Sequence, residues 1–129
     1  MNLTNLTAIS PIDGRYYSKT KSLSSYFSEF GLIKYRVLVE VEYFIALSFQ
    51  DLEAFPALSS NQIDALRDVY QKFSEEDAVW IKDSEKITNH DFKAVEYYLK
   101  NKLESLQLNS YSEYVHFGLT SQDINNTAI

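Results

Sequence analysis

Apolar side chains recur every three or four residues along most of the chain, which is the spacing of amphipathic α-helices. The clearest stripe follows Asp91 and contains Phe92, Val95, Leu99, Leu103 and Leu106. A second helix is predicted over residues 32–49, because the length and the charged residues of that segment outweigh the strand preference of its valines. Its predicted apolar stripe contains Leu32, Tyr35, Val39, Tyr43, Ala46 and Leu47. No pair of strands is indicated, so the sequence predicts an all-α fold.

Two serine-containing motifs mark the starts of further helices. Ser59 is followed three residues later by Gln62, and Ser74 by Asp77. At this spacing the serine hydroxyl accepts a hydrogen bond from a backbone N–H of the first turn, while the later side chain accepts one from the serine N–H. We therefore predict helices that begin after Ser59 and after Ser74.

Turn-forming residues divide the rest of the chain. Residues 1–18 lack helical or strand periodicity and contain Ser10-Pro11 and Asp13-Gly14, so we predict an ordered loop there. A short helix is predicted from Lys21, and Gly31 is predicted to end or kink it. Residues 54–60 are predicted to connect two helices.

Composition and charge limit the classes of function. A length of 129 residues with 45% hydrophobic residues suits one packed domain. The absence of cysteine excludes disulfides and thiolate chemistry. A net charge of −6 makes nucleic acid a poor partner but leaves a small anionic ligand possible. The sequence shows neither a signal peptide nor an apolar run of the ~20 residues that a membrane span needs, so we expect a soluble, cytoplasmic protein.

A first segment with candidate chemistry contains Arg15 and Tyr16, directly after Asp13-Gly14. The guanidinium group of arginine is a rigid fork of donors that matches a phosphate or a carboxylate, and a phenol adds one more donor. A solvated turn with an incidental arginine would have the same sequence.

A second segment, Thr88-Asn89-His90-Asp91, lies where a helix is predicted to start. Free N–H groups at a helix start can bind an anion, and histidine readily exchanges a proton near neutral pH. Asn and Asp at such a place can equally serve as helix caps.

A third segment begins at His116 and continues through Gly118 to Thr120 and Ser121. Gly118 is predicted to allow close backbone approach, and the two hydroxyls could donate to a carboxylate held at a helix start. A plain capping box from Thr120 to Asp123 is the structural alternative. No metal site is predicted, because His90 and His116 are 26 positions apart without a cluster of further ligands.

Three motifs carry a resemblance to a known family: SPIDGRY at 10–16, TNHDFKAVEYYLK at 88–100 and HFGLTSQDINN at 116–126. They resemble the N-terminal motifs of the adenylosuccinate lyase family, in its bacterial form, within the fumarase/aspartase superfamily. The resemblance implies an N-terminal helical domain over residues 1–119 and the start of a central helical bundle over residues 120–129. It also implies elimination of fumarate from adenylosuccinate and from succinyl-aminoimidazole-carboxamide ribotide, without a cofactor, by a homotetramer whose subunits share active sites.

The resemblance also implies roles for individual residues. Arg15 and Tyr16 would contact the substrate phosphate. Asn89, His90 and Asp91 would line the site, with His90 near the succinyl group. His116 would support substrate placement, and Thr120 and Ser121 would hold a succinyl carboxylate. The general acid histidine and the general base serine of the family lie beyond this segment, so we expect the chain alone to be inactive.

Two alternatives remain at this point. Another lyase of the superfamily, such as one that acts on argininosuccinate, is disfavoured because a phosphate-binding Arg15 has no task on a substrate without phosphate. A helical interaction module without catalysis is the alternative from a different class.

Overall fold

The computed structural model describes residues 1–52 and 55–129, and the regular secondary structure within these ranges is helical. The predicted all-α class is therefore confirmed. The α-helices are α1 (Tyr17–Thr20), α2 (Ser24–Phe27), α3 (Glu29–Ser48), α4 (Ser60–Gln71), α5 (Glu75–Thr88), α6 (Asp91–Ser105) and α7 (Ser121–Ala128). Short 3₁₀ segments occupy Lys21–Leu23 and Asn109–Tyr114. No helix in the described ranges is long and apolar enough to span a membrane.

The chain divides into two compact units, residues 1–32 and 33–129. In the first unit a series of turns precedes α1, as the turn-forming residues predict. Gly14 is buried, and a Cβ atom at this position would lie 2.8 Å from the carbonyl oxygen of Asn5. Only glycine therefore allows the loop to fold this closely onto itself.

The break predicted at Gly31 is wrong, because the chain breaks earlier, at Ser28. Ser28 has an extended backbone with φ −82° and ψ 170°, and α3 begins at the next residue. Gly31 lies inside α3, where a Cβ atom would come within 2.8 Å of the carbonyl oxygens of Ser25 and Tyr26. Its physical role is to allow close backbone packing rather than to end a helix.

The stripe predicted for α3 is also on the wrong face. Its members are half-buried or, in the case of Ala46, exposed. The buried apolar side chains of α3 are Ile33, Val37, Val41, Phe44 and Ile45. Apolar residues surround most of this helix, so periodicity alone does not select one face. The buried face includes two charged residues, Arg36 and Glu40.

The helix starts predicted at Ser59 and Ser74 are confirmed. The Ser59 hydroxyl accepts a hydrogen bond from the Gln62 N–H at 3.3 Å, and the Gln62 side chain accepts one from the Ser59 N–H at 2.9 Å. Ser74 and Asp77 repeat the arrangement. Of the connector predicted at 54–60, Ala54 lies outside the described residues, and residues 55–59 are not helical.

In the second unit, α3, α5 and α6 each contribute buried apolar side chains to the core. The last two helices pack against each other and are separated only by residues 89–90. Aromatic rings contribute to this packing, since Tyr98 on α6 lies 5.7 Å from Trp80 on α5 and 5.8 Å from Phe73 between ring centroids. This helical pair carries the second candidate segment at its connection.

Candidate active site

Two charged side chains on the buried face of α3 organise the candidate site. Arg36 and Glu40 lie one helical turn apart and are only 7% and 3% exposed. Charged groups are rarely buried unless they are paired, so their partners show what the burial achieves. Neither residue is among the site residues predicted from the sequence. The signal that could have found them is the position of two charges inside an otherwise apolar helix.

Arg36 connects α3 to the first residues of α6 and to α7. Its guanidinium group donates to the Asp91 carboxylate at 3.1 Å and to the Asn125 side-chain oxygen at 3.3 Å. The guanidinium carbon also lies 4.3 Å from the ring centroid of Phe92, within cation–π range. One buried cation thus fixes the second and third candidate segments to the same helix.

Glu40 pairs with His116. One carboxylate oxygen of Glu40 is hydrogen-bonded to Nδ1 of His116. The other oxygen, Oε2, is buried and has no hydrogen-bond partner within the described part of the chain. Burial raises the pKa of Glu40, against the opposing effect of His116.

The backbone around His116 is held in an uncommon conformation. His116 and Gly118 have φ values of +60° and +71°, and the Tyr43 hydroxyl donates to the Phe117 carbonyl at 2.6 Å. Within residues 1–52 and 55–129, a Cβ atom at Gly118 would come within 4 Å of the Tyr43 hydroxyl alone, at 3.9 Å. Its positive φ favours glycine at position 118, and close approach of a ligand to its backbone stays a prediction.

The residues of the second candidate segment have clear structural tasks. Asn89 ends α5 in the left-handed conformation, and its N–H donates to the Glu85 carbonyl at 2.7 Å. His90 is the N-cap of α6, where its Nδ1 accepts the Lys93 N–H at 3.2 Å. Because that nitrogen accepts a hydrogen bond, the ring proton of neutral His90 belongs on Nε2. The His90 side chain is 55% exposed.

The third segment forms a complete capping box at the start of α7. The Thr120 hydroxyl accepts the Asp123 N–H at 3.3 Å and lies 3.0 Å from an Asp123 carboxylate oxygen, to which it donates. The hydrogen bond from the Thr120 N–H lowers the pKa of Asp123. Ser121 is half-buried and is the first residue of α7. The capping alternative is thus present, and a ligand carboxylate would compete with Asp123 for the Thr120 hydroxyl.

Arg15 and Tyr16 belong to the first unit and form a contact of their own. Both side chains are exposed, and the Arg15 guanidinium carbon lies 4.7 Å from the Tyr16 ring centroid. The Tyr16 N–H donates to the Pro11 carbonyl at 2.9 Å, which fixes the turn. This arrangement leaves the guanidinium donors accessible to an anion.

Across residues 1–52 and 55–129 no three His, Asp or Glu side chains are grouped as metal ligands would be. The second unit brings the Asp91, His116 and Asn125 segments together at α3 through the polar contacts of Arg36 and Glu40. Such an arrangement can orient a polar compound and donate hydrogen bonds to it.

The sequence is similar to those of known lyases. A sequence model described as lyase matches residues 14–129. The chain is 56% identical to the adenylosuccinate lyase of Dictyostelium discoideum over 100% of its length and 52% identical to that of Legionella pneumophila (strain Corby) over 99%. It is 48% identical to the adenylosuccinate lyase of Escherichia coli (strain K12) over 98% of its length. The chain spans 28% of the length of each of these curated relatives.

Proposed function

Because the chain belongs to the lyase family, we propose that it supplies the N-terminal part of an adenylosuccinate lyase. Such an enzyme eliminates fumarate from adenylosuccinate to leave AMP, and from succinyl-aminoimidazole-carboxamide ribotide earlier in purine biosynthesis. The observation that carries the proposal is the meeting of the TNHD and HFGLTSQDINN segments at Arg36 and Glu40. The activity itself belongs to a longer polypeptide, of which this chain contributes one side of the active site.

The proposed residue roles follow the charge that develops during elimination. Removal of a proton next to a carboxylate builds negative charge on that carboxylate, so fixed donors stabilise the transition state more than the ground state. Thr120, Ser121 and the first N–H groups of α7 would hold the succinyl carboxylate. Arg15 and Tyr16 would hold the phosphate.

The remaining roles concern the middle of the substrate. Asn89, His90 and Asp91 would line the site beside the succinyl group, and His116 would support substrate placement. Departure of the purine amino nitrogen requires a general acid. That acid and the general base would come from outside this chain, and no cofactor takes part. The homotetramer with shared sites and the cytoplasmic location belong to the same proposal.

The substitution His90→Asn separates the capping and catalytic roles of His90 in the longer enzyme. Asparagine is at least as good an N-cap as histidine, so we expect the melting temperature to stay the same or rise. Loss of the imidazole should lower kcat by about 10²-fold or more, if His90 assists proton movement or orientation as charge develops. The measurement is fumarate release, with thermal unfolding on the same samples.

The matched control is Ser59→Asn, which makes a similar change at the N-cap of α4. We expect this control to alter neither fumarate release nor the melting temperature by much, because asparagine and serine cap helices about equally well. Full activity of the His90→Asn enzyme would leave His90 with its capping role alone.

A further inference from the structure

The hydrogen bond between Glu40 and Nδ1 of His116 determines whether the other ring nitrogen, Nε2, carries a proton that it can donate. Glu40 is 3% exposed, and its Oε2 atom has no hydrogen-bond partner among the described residues. A buried carboxylate in this situation is costly as an isolated anion. A positive charge or a bound proton must therefore neutralise it.

The charged groups around the pair leave His116 as the partner of Glu40. On α3, Arg36 directs its hydrogen bonds to Asp91 and Asn125. On α6, the Glu96 carboxylate adds negative charge that raises the pKa of Glu40. Lys102 lines the same small apolar cavity as Glu40, but its ammonium group lies 3.9 Å from Asp77. On α7, Asp123 adds another negative charge that interacts with His116.

Three proton arrangements make the Glu40–His116 pair electrically neutral. In the first, a carboxylate faces an imidazolium, which carries protons on both ring nitrogens. In the second, a carboxylic acid donates to Nδ1 of a neutral imidazole, and the ring proton must then be on Nε2. In the third, the acid proton is on Oε2 and Nδ1–H donates to the other oxygen, which leaves a buried hydroxyl donor unpaired, because Oε2 has no partner among the described residues. The first two arrangements avoid this cost, and both place a proton on Nε2.

We propose that Glu40 is a positioning residue that holds His116 through Nδ1 and keeps a proton on Nε2, so that His116 acts as a hydrogen-bond donor and not as a base. The backbone of His116 is in the left-handed conformation, and the Tyr43 hydroxyl of α3 donates to the carbonyl of the next residue, Phe117. These two features fix the position from which the His116 side chain extends toward Glu40. The value of this donor in fumarate elimination rests on the proposed function. The protonation state itself does not.

The test uses the 129-residue chain with ¹⁵N-labelled histidine and no ligand. Long-range ¹H–¹⁵N spectra near neutral pH report whether each ring nitrogen carries a proton, and the His90→Asn variant identifies the signals of His116. We expect Nε2 of His116 to be protonated and Nδ1 to show a shared or bound proton. A bare Nε2 in the wild-type chain would overturn the proposal without any variant.

The substitution Glu40→Gln removes the carboxylate but keeps its shape. We expect the variant to show a single protonated ring nitrogen on His116 and to lose the shared proton on Nδ1. The control Glu42→Gln, two residues along α3, removes a carboxylate that pairs with Arg67 and should leave the His116 signals unchanged. Identical His116 signals in wild type and Glu40→Gln would refute the role of Glu40. Fumarate release by the longer enzyme is a separate measurement, so failure of the lyase proposal would be recognised independently.

Discussion

Arg36 is almost fully buried, and protein groups replace water around most of its guanidinium group, while Nε has no hydrogen-bond partner among the described residues. Phe92 offers the face of an aromatic ring, and Asp91 and Asn125 offer oxygen acceptors. The Asp91 side chain is 42% exposed, so water can partly solvate its charge if the arginine is removed. The loss of Arg36 should therefore cost the free energy of its charged hydrogen bonds. It should not add the full cost of a buried, unpaired Asp91 carboxylate.

We predict that Arg36→Leu lowers the free energy of unfolding by about 1.5 to 3 kcal/mol, the range for hydrogen bonds to charged groups. Urea unfolding followed by circular dichroism measures the change. The control is Lys72→Leu, which removes an exposed ion pair with Asp68 and should change stability by less than about 0.5 kcal/mol. Equal losses in the two variants would contradict the importance of the buried contacts.

Glu42 provides a pH-dependent contribution on a different side of α3. Arg67 donates to both carboxylate oxygens at 2.9 and 3.2 Å, and the Tyr70 hydroxyl donates at 2.6 Å. The hydrogen bonds from Arg67 lower the pKa of Glu42 below its ordinary value of 4.5. The folded chain therefore binds this proton less tightly than the unfolded chain. The stabilisation is present above pH 4.5 and is lost as the pH falls through the lowered pKa.

We predict that Glu42→Gln destabilises the chain more at about pH 6 than at about pH 3. The difference should stay below about 1 kcal/mol, because both side chains are more than one-third exposed and solvent screens the pair. Urea unfolding at the two pH values measures it. In an Arg67→Met background the same substitution should lose most of this pH dependence, because only the Tyr70 hydroxyl then still donates to Glu42 among the described residues. Undiminished pH dependence there would contradict the role of Arg67.

Two features determine how α3 packs. Gly31 at its start leaves no room for a side chain, and Arg36 and Glu40 lie on its buried face. Gly31 lies where α2 and the first turn of α3 approach too closely for a side chain, since a Cβ atom there would lie 2.8 Å from the carbonyl oxygens of Ser25 and Tyr26. The obstructing atoms are backbone, so a rotamer change cannot relieve the contact. Arg36 and Glu40 then select which side of the helix faces the other site segments.

We predict that Gly31→Ala destabilises the chain although alanine favours helices. The propensity gain is about 0.8 to 1 kcal/mol, whereas forced overpacking typically costs about 1 to 3 kcal/mol. Thermal unfolding by circular dichroism measures the net loss. Ala46→Gly, at an exposed position of the same helix, calibrates the propensity effect and should cost about 1 kcal/mol. Stabilisation by Gly31→Ala would show that the backbones can separate freely.

The sequence predicted those elements whose cause is local. Each capping box, at Ser59, Ser74 and Thr120, is complete within four consecutive residues, so its signal can be read without the fold. The buried face of α3 was predicted wrongly, because that choice depends on partners far away in the chain. The structural roles of Arg36 and Glu40 depend on their contacts with Asp91 and His116. No local sequence pattern predicts these contacts.

For the whole molecule, the decisive fact is that the chain spans 28% of the length of its curated relatives. It contains the proposed phosphate and carboxylate donors, but the family resemblance assigns the acid and the base to residues beyond it. An enzyme that retains binding groups but lacks proton-transfer groups should orient its substrate without converting it.

We predict that the purified 129-residue chain releases no fumarate from adenylosuccinate. The measurement is a fumarate assay at high protein concentration, with a longer lyase such as the Escherichia coli relative as the positive control. Circular dichroism on the same sample establishes that the chain is helical during the assay. Turnover by the chain alone would show that the acid and base reside within these 129 residues.

The distances along the chain between partners also set an order of events during folding. α5 and α6 are consecutive and need only a two-residue connection, whereas the contacts of Arg36 and Glu40 join residues 55, 89 and 76 positions apart. Longer loops cost more entropy to close, and non-local contacts slow folding. We therefore expect the helical pair to form first and the site contacts after the main barrier. Changes at Arg36 would then shorten the lifetime of the native chain while leaving its refolding rate nearly unchanged.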